Sequence, residues 1–241
     1  MRIIAGPNGS GKSTLVNQLK KRSEAEHTSF SLGYLLNADD LQVKMIESKL
    51  VNFLDFGFVP NKKIWNAFIE KNGERLITKK GKPYEFRLKH ATLFISGRKP
   101  DSYLAAVIVQ FICEQLLERK MNFSFETVFS HPGKIDFIRQ ARRRGYRVYV
   151  YFVSTASHLI NIDRVKHRVA KGGHDVALTK IKERYFRSME LVDEYLILTN
   201  RTYLFDNTTS LSLCMQVSDG KDIVFHKPFI PAWMNHYVLN Q

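Results

Sequence analysis

The sequence predicts an α/β fold: a mostly parallel sheet with helices on both faces, a basic insertion and a C-terminal hairpin. Three observations predict it. Short apolar runs alternate with segments of helical periodicity along most of the 241 residues, the pattern of βα units. The first unit turns through a glycine-rich loop, Gly6-Pro7-Asn8-Gly9-Ser10-Gly11-Lys12-Ser13. Near the other end, Asp219-Gly220 stands between two apolar runs, a two-residue hairpin turn.

The elements follow in order. Arg2-Ile3-Ile4-Ala5 reads as a buried strand, and Leu15, Val16 and Leu19 give the next segment an apolar helical face. Tyr34-Leu35-Leu36 is a second short strand, ending at Asn37-Ala38-Asp39-Asp40, and residues 41–54 have helical spacing through Leu41, Met45, Leu50 and Leu54. Residues 55–101 break the alternation: Gly57, Pro60, Gly73, Gly81, Pro83, Gly97 and Pro100 cut them into short pieces. Residues 75–78 and 84–88 are expected to form a hairpin there. A long helix over 102–119 resumes the pattern, and Asn122–Phe125 is a third strand ending at Glu126-Thr127. Lys134–Arg144 is a helix closed by Gly145. The continuous apolar run Val148–Val153 suits a central strand. Helices over 158–170 and 179–195 are joined by Lys171-Gly172-Gly173-His174. Thr202–Phe205 is the fifth strand, ending at Asp206-Asn207, and Ser212–Val217 with Lys221–His226 form the hairpin. The tail, with Pro228, Pro231 and Trp233, reads as a packed extension. The whole is expected to be one domain, 1–241, with the insertion at 55–101 and a lid at 158–187.

Gly6 to Ser13 match the Walker A pattern G-x-x-x-x-G-K-[ST] in full. At ordinary residue frequencies this arises by accident in about one chain of this length in a hundred, and a preceding strand and following helix make accident rarer still. The pattern specifies the P-loop NTPase type of α/β fold. Its chemistry follows from the residue types. Glycines let the backbone turn tightly and aim N–H groups at a phosphate, and the helix N-terminus adds about half a positive charge. Residues Gly6 to Thr14 are therefore expected to hold ATP, with Lys12 a cation for the β- and γ-phosphates and Ser13 a ligand for Mg²⁺.

Composition narrows the class. A hydrophobic content of 44% is that of a globular protein. Cys113 and Cys214 lie far apart and in no metal-ligand pattern, as expected of a reducing compartment. Met1 precedes the first strand directly, and the longest apolar run, Tyr103 to Leu117, carries Gln110, Glu114 and Gln115. No leader or membrane span is expected, and the protein is expected in the cytoplasm. The net charge is +14. Residues 60–100 hold eleven Lys or Arg against three Glu, a net of +8, and a second cluster comprises Arg139, Arg142, Arg143, Arg144 and Arg147. Such surfaces attract phosphates and nucleic acid, although Arg142–Arg144 also suits a solvated helix end.

Two constellations carry chemistry. Asp39, Glu126 and Asp206 each come at or just after a predicted strand end, the rim where α/β sheets bind ligands. Beside a phosphate cradle they suggest Mg²⁺ handling and a base for a substrate hydroxyl. An Asp after a strand is equally a helix cap, and Asp40 competes with Asp39 for that position. The second constellation is cationic. Arg164 and Arg168 share a helix face at i, i+4, and Arg184 and Arg187 lie on the next helix beyond the glycine turn. This is the layout of a lid that closes on a transferring phosphoryl group. His174 reads as a turn residue.

Together AGPNGSGKST (5–14), NADD (37–40), SFETVFSH (124–131), RGYRVYVYFVST (144–155), RVKHRVAKGGHDV (164–176), KIKERYFRS (180–188) and LFDNT (204–208) resemble the zeta toxin family, P-loop kinases typified by UDP-N-acetylglucosamine kinases and zeta-like ATPases. The motifs stand in the family's order over about three-quarters of the chain. The resemblance implies Asp39 as the base that accepts the sugar hydroxyl's proton. It makes Glu126 and Thr127 substrate contacts, Arg168 and Arg184 lid arginines with Arg164 competing for the role of Arg168, and Asn207 a residue near the nucleotide. It implies ATP and Mg²⁺, a small hydroxyl-bearing acceptor that can carry phosphate, and an antitoxin partner. Residues 55–101 depart from the family by being longer and more basic. That insertion motivates the alternative of a nucleic-acid-associated ATPase or polynucleotide kinase, against which the sequence has no RNP-type aromatic pattern, helix-turn-helix or zinc-finger spacing.

Overall fold

The computed structural model of the chain describes residues 1–25, 30–76 and 83–239. The chain divides into two compact units, Met1–Gly33 with Ser124–Gln241, and Tyr34–Phe123.

In the first unit, β1 (Arg2–Ala5) leads through the glycine loop into α1 (Lys12–Glu24). After the second unit come β6 (Phe123–Thr127), α5 (Gly133–Arg143), β7 (Tyr149–Ser154), α6 (His158–Ala170), α7 (Leu178–Glu190), α8 (Val192–Leu198), β8 (Arg201–Asp206), β9 (Ser212–Ser218) and β10 (Asp222–Phe225). These strands lie in the order β10-β9-β8-β7-β1-β6. The pairs β1–β6, β1–β7 and β7–β8 are parallel, and β8–β9 and β9–β10 are antiparallel. The predicted mostly parallel α/β sheet with a C-terminal hairpin is thus the observed one. β7 is its centre, buried from Val150 to Ser154 on both faces, as its unbroken apolar run requires. The hairpin turns through Asp219, Gly220 and Lys221 between the paired Ser218 and Asp222, one residue more than the expected two-residue turn, with Asp219 and Gly220 left-handed at φ 47° and 69° and Lys221 N closing on Ser218 O. Trp233 in the tail is buried against the Phe152 ring, 5.9 Å between centroids.

The second unit holds β2 (Tyr34–Leu36), α2 (Ala38–Ser48), β3 (Leu50–Asn52), α3 (Lys62–Leu76), β4 (Glu85–Lys89), β5 (Thr92–Ser96) and α4 (Ser102–Glu118). Its small antiparallel sheet has the order β3-β5-β4. An aromatic cluster forms its core: the Phe111 ring lies 5.5 Å from Phe53, 5.0 Å from Trp65 and 5.0 Å from Phe68. Asp101 caps α4 by accepting from the N–H groups of Tyr103 and Leu104, and pairs with Arg98 at 2.8 Å. Among the described residues no helix is long and apolar enough to cross a membrane.

Three local expectations need correction. Arg75 and Leu76 end α3 instead of starting a hairpin. Trp65, Phe68, Asn72 and Leu76 are all buried, spacings of three and four that make one helical face, so packing overrides Gly73. The hairpin is β4 with β5, Lys89 opposite Thr92; residues 77–82 lie outside the described set. The helix expected over 41–54 stops at Ser48, where Lys49 turns left-handed (φ 55°) and its N–H closes on Met45 O, freeing Leu50–Asn52 to pair with β5. The helix expected over 179–195 divides at Leu191, and α8 buries Val192 and Tyr195 completely.

Tyr195 generates a stability prediction. Its ring packs at 4.9 Å on Phe129 and 5.9 Å on Phe152, yet its hydroxyl is buried with no hydrogen-bond partner among the described residues, and burial pushes the phenol well above its ordinary range. Tyr195→Phe keeps the packing and removes the unsatisfied group, so denaturant unfolding should show unchanged stability or a gain of up to about 1 kcal/mol. Tyr195→Ala should cost roughly 3–5 kcal/mol. A clear loss in the Phe variant would mean the hydroxyl has a partner.

Candidate active site

The loop between β1 and α1 is shaped by its protein neighbours. Gly6 sits at φ 141°, where a Cβ would lie 2.1 Å from the Val153 carbonyl oxygen of β7. Gly11 sits at φ 101°, where a Cβ would lie 2.0 Å from the Asn207 side-chain nitrogen. Both positions exclude a side chain by backbone conformation and by space. Gly11 is also the N-cap of α1, which has no side-chain cap and no acid in its first turn. The orphan N–H groups of that 13-residue helix make a ready site for an anion. Ser10 Oγ is buried at the loop with no hydrogen-bond partner among the described residues, and Ser13 and Thr14 are exposed on the first turn. A cradle of bare backbone with an unused hydroxyl fits a phosphate.

Lys12 is buried, and its ammonium donates to Gly6 O at 2.9 Å and Pro7 O at 3.0 Å, with Glu126 Oε1 at 3.9 Å. Parallel pairing explains the meeting: β6 runs beside β1 with Glu126 opposite Ile4 and Thr127 opposite Ala5, so these two residues arrive at the loop's edge. Thr127 Oγ1 accepts from Phe129 N at 3.2 Å. Phe129 is buried at φ 60°. Ser188 on α7 donates to Val128 O at 2.7 Å, holding the turn that follows Glu126-Thr127.

Asp206 is tied into the protein by hydrogen bonds. Its Oδ1 accepts from Trp233 Nε1 at 2.8 Å and Thr208 Oγ1 at 2.8 Å, and its Oδ2 accepts from Thr208 N at 3.1 Å. Both oxygens are committed to the tail and the β8 turn. Asn207 beside it donates from Nδ2 to Ser10 O at 2.8 Å, buttressing the loop. Among the described residues no group of three or more His, Cys, Asp or Glu is placed to hold a metal ion. The Ser13 hydroxyl, exposed on the first turn of α1, is the group that a Walker A pattern offers to Mg²⁺.

The arginines of α6 and α7 that the sequence assigns to a lid, Arg164, Arg168 and Arg184, are half-buried and engaged with the protein. Arg164 Nη2 donates to Thr208 O at 3.1 Å, Arg168 Nη2 to His174 O at 2.6 Å, and Arg184 Nη1 to Asn8 Oδ1 at 3.5 Å. Long side chains cover their stems on neighbouring surface even when their charge is needed elsewhere. Arg164 Nη1 and Arg168 Nε remain without a partner among the described residues. Arg164, His167, Arg168, Lys171 and Gly173 line a cleft of about 420 Å³. Arg187 is exposed, 4.0 Å from Glu183.

A polar cluster beneath the loop escaped sequence reasoning. Asn161 of α6 is fully buried, and its backbone is so close to Gly9 that a Cβ there would lie 2.5 Å from Asn161 O. Thr155 Oγ1 donates to Asn161 Oδ1 at 2.7 Å, and Tyr185 Oη to Thr155 O at 2.7 Å; burial pushes this phenol up to about 12. The one available signal was a polar residue on the apolar side of α6.

Asp39 lies in the second unit, exposed on the first turn of α2 beside Asp40. The cap is neither acid: Asn37 Oδ1 accepts from Asp39 N at 2.8 Å, which leaves the Asp39 carboxylate unused by the helix. Lys79, Lys80 and Lys82, the densest part of the basic insertion, lie outside the described residues.

The glycine loop and mostly parallel sheet define an α/β fold of the P-loop NTPase type. Residues 103–213 match the zeta toxin family model, as the sequence motifs implied. A comparison with curated proteins finds no match. Among solved structures, a crystal structure of AvrRxo1-ORF1:AvrRxo1-ORF2 with sulphate ions aligns at TM-score 0.57 and 12% identity, over 93% of this chain and 60% of that chain. The complex with ATP aligns at 0.55 and 11% over the same shares. The chain thus spans about 60% of the length of these relatives, and the likeness is one of fold. A chain from the PezAT chromosomal toxin-antitoxin system of Streptococcus pneumoniae aligns at 0.47 and 10%, over 100% of this chain and 79% of that chain.

Asp206 offers a test of structural against catalytic use. Asp206→Asn should lower stability by roughly 1–3 kcal/mol, because a charged acceptor of three hydrogen bonds is lost. Thermal melting should show the loss, and nucleotide turnover at a temperature where the fold persists should stay within about tenfold of wild type. Abolished turnover with an unchanged melting temperature would instead make Asp206 a metal ligand.

Proposed function

We propose that this chain transfers a phosphoryl group from ATP, with Mg²⁺, to a hydroxyl of a small molecule, a nucleotide-sugar such as UDP-N-acetylglucosamine being the acceptor that the family resemblance suggests. The observation that carries the reading is the loop itself: a side-chain-free cradle at an uncapped helix N-terminus, with buried Lys12 folded over it. Phosphoryl transfer asks little covalent chemistry of a protein and much positioning and charge stabilisation. In our reading, residues Gly6 to Thr14 bind the phosphates. Lys12 leaves the Gly6 and Pro7 carbonyls for phosphate oxygens, and Ser13 holds Mg²⁺, which when bound neutralises charge on those oxygens. Asp39 takes the acceptor's hydroxyl proton, and Glu126 and Thr127 hold the acceptor. Arg184, already beside Asn8 of the loop, and Arg168 or Arg164 meet the charge that develops during transfer. Asn207 keeps the loop's shape for the nucleotide. We further take 1–241 as one kinase domain with an insertion at 55–101 and a lid at 158–187, acting in the cytoplasm, with an antitoxin protein as partner.

ATP consumption screened against nucleotide-sugars, free sugars, nucleosides and 5′-hydroxyl oligonucleotides tests the reading. Turnover with a nucleotide-sugar, lost in Lys12→Ala, is expected. Turnover only with oligonucleotides would favour a polynucleotide kinase, and full activity in Lys12→Ala would remove the P-loop from the chemistry. For the base, Asp39→Asn should keep ATP affinity and lose several orders of magnitude in kcat and kcat/KM together, since the group acts in the transition state. A benign Asp39→Asn beside a damaging Asp40→Asn would move the assignment by one residue.

The arginines should separate by kinetics. Alanine at Arg184 or Arg168 should lower kcat by about 10³-fold or more while ATP affinity changes little, because their contact strengthens as charge develops. Equal losses in affinity and rate would make them ground-state binders.

A further inference from the structure

The sheet ends at β10, and among the described residues this short edge has few of the usual protections. Edge strands are blunted by lysine, proline, bulges or a covering element, because their free N–H and C=O groups template pairing with another chain. Asp222-Ile223-Val224-Phe225 has no lysine or proline, and all four residues are exposed. Successive side chains point to opposite faces, so both faces of the strand are open: Ile223 is 46%, Val224 46% and Phe225 49% exposed. Phe229, in the segment that follows, is 86% exposed.

We propose that β10 pairs with β10 of a second copy of this chain, antiparallel and two-fold symmetric, with Val224 opposite Val224. The register follows from hydrogen-bond parity. His226 N donates to Cys214 O of β9, and β10 stays in register with β9 from Asp222 opposite Ser218 to Phe225 opposite Met215. Hydrogen-bonded positions alternate in an antiparallel ladder. Val224 and Asp222 therefore turn their backbone groups towards β9, and Ile223 and Phe225 turn theirs to the free edge. A two-fold axis must pass through a residue paired with its own copy, or the alternation fails. Centring on Val224 sets each Ile223 against the other copy's Phe225, two pairs that each exchange two hydrogen bonds. Centring on Ile223 or Phe225 would pair the remaining outward residue with Lys221 of the turn or with Lys227 beyond the strand. The Val224 register also sets Asp222 of each copy against His226 of the other, the acid end of the strand against its basic end. Apolar side chains then meet on both faces: Ile223 with Phe225 on one, Val224 with Val224 on the other. The strand is short, so the interface belongs to the small, weak class.

Sedimentation of the full chain over roughly 1–200 µM should show a reversible monomer–dimer equilibrium, as expected of a weak interface. A monomer at every concentration overturns the proposal, including the case where the edge serves a strand of another protein. Two cysteine variants test the register. Opposed residues at a non-hydrogen-bonded position have Cα atoms about 4.5 Å apart, within disulfide range, so Val224→Cys should form an intermolecular disulfide on mild oxidation. Ile223→Cys should not, because it faces Phe225; the native Cys113 and Cys214 are buried. Cross-linking of Ile223→Cys without Val224→Cys overturns the register. Phe225→Pro removes an outward N–H while leaving the bonds to β9, a change that edge strands tolerate. It should retain the wild-type circular dichroism and weaken dimerisation at least tenfold; an unchanged dimer in that variant would place the contact elsewhere.

Discussion

The backbone of the loop from Gly6 to Ser13 is gripped from three sides. The Val153 carbonyl of β7 stands where a Gly6 side chain would be, the Asn161 backbone of α6 crowds Gly9, and the Asn207 amide occupies the space beside Gly11 and bonds to Ser10 O. The glycines thus answer first to the protein around them. A loop held this way keeps its N–H groups aimed without help from a ligand, so binding a phosphate costs little ordering. The order of strands produces the grip: β7 lies directly beside β1, and β8 beside β7, which delivers Val153 and Asn207 to the loop's rim.

Charge in the site is prepared in the same way. A buried ammonium is costly unless it is paired and hydrogen-bonded. Lys12 donates to two loop carbonyls and has Glu126 at 3.9 Å. These are partners a polyphosphate can displace, and Glu126 would be released as Lys12 moved. The arginines follow the same logic: each donates to a carbonyl or amide oxygen, and two have a buried donor with no partner among the described residues. Asp206 is the contrast. Its oxygens accept from Trp233 and Thr208, so it ties the tail to the β8 turn.

Periodicity made most of the fold legible from sequence alone. β1, β7 and the hairpin were plain because their apolar runs and the Asp219-Gly220 turn are local signals that tertiary packing had no reason to override. Where the reading went astray, a local signal lost to burial. Gly73 argued for a break, yet Trp65, Phe68, Asn72 and Leu76 make one buried helical face that carries α3 past it. Lys49 turns left-handed because Leu50–Asn52 gains a ladder with β5. Neither partner is visible within a short window of sequence.

Sequence by itself determined the glycine loop on which the proposed phosphate site rests: glycines at fixed spacing, a lysine and a serine at a strand–helix junction are a local instruction, written in consecutive residues. Tertiary structure alone decided which polar residues surround that loop and in what capacity. Asp206 with Trp233, Asn207 with Ser10, Arg184 with Asn8 and Arg164 with Thr208 are pairs separated by 27 to 197 positions. Residue type shows what such a side chain can bond, but only the packing of strands and helices brings a particular partner within hydrogen-bond distance and, by doing so, fixes whether a carboxylate is an anchor or a guanidinium still has a donor to give.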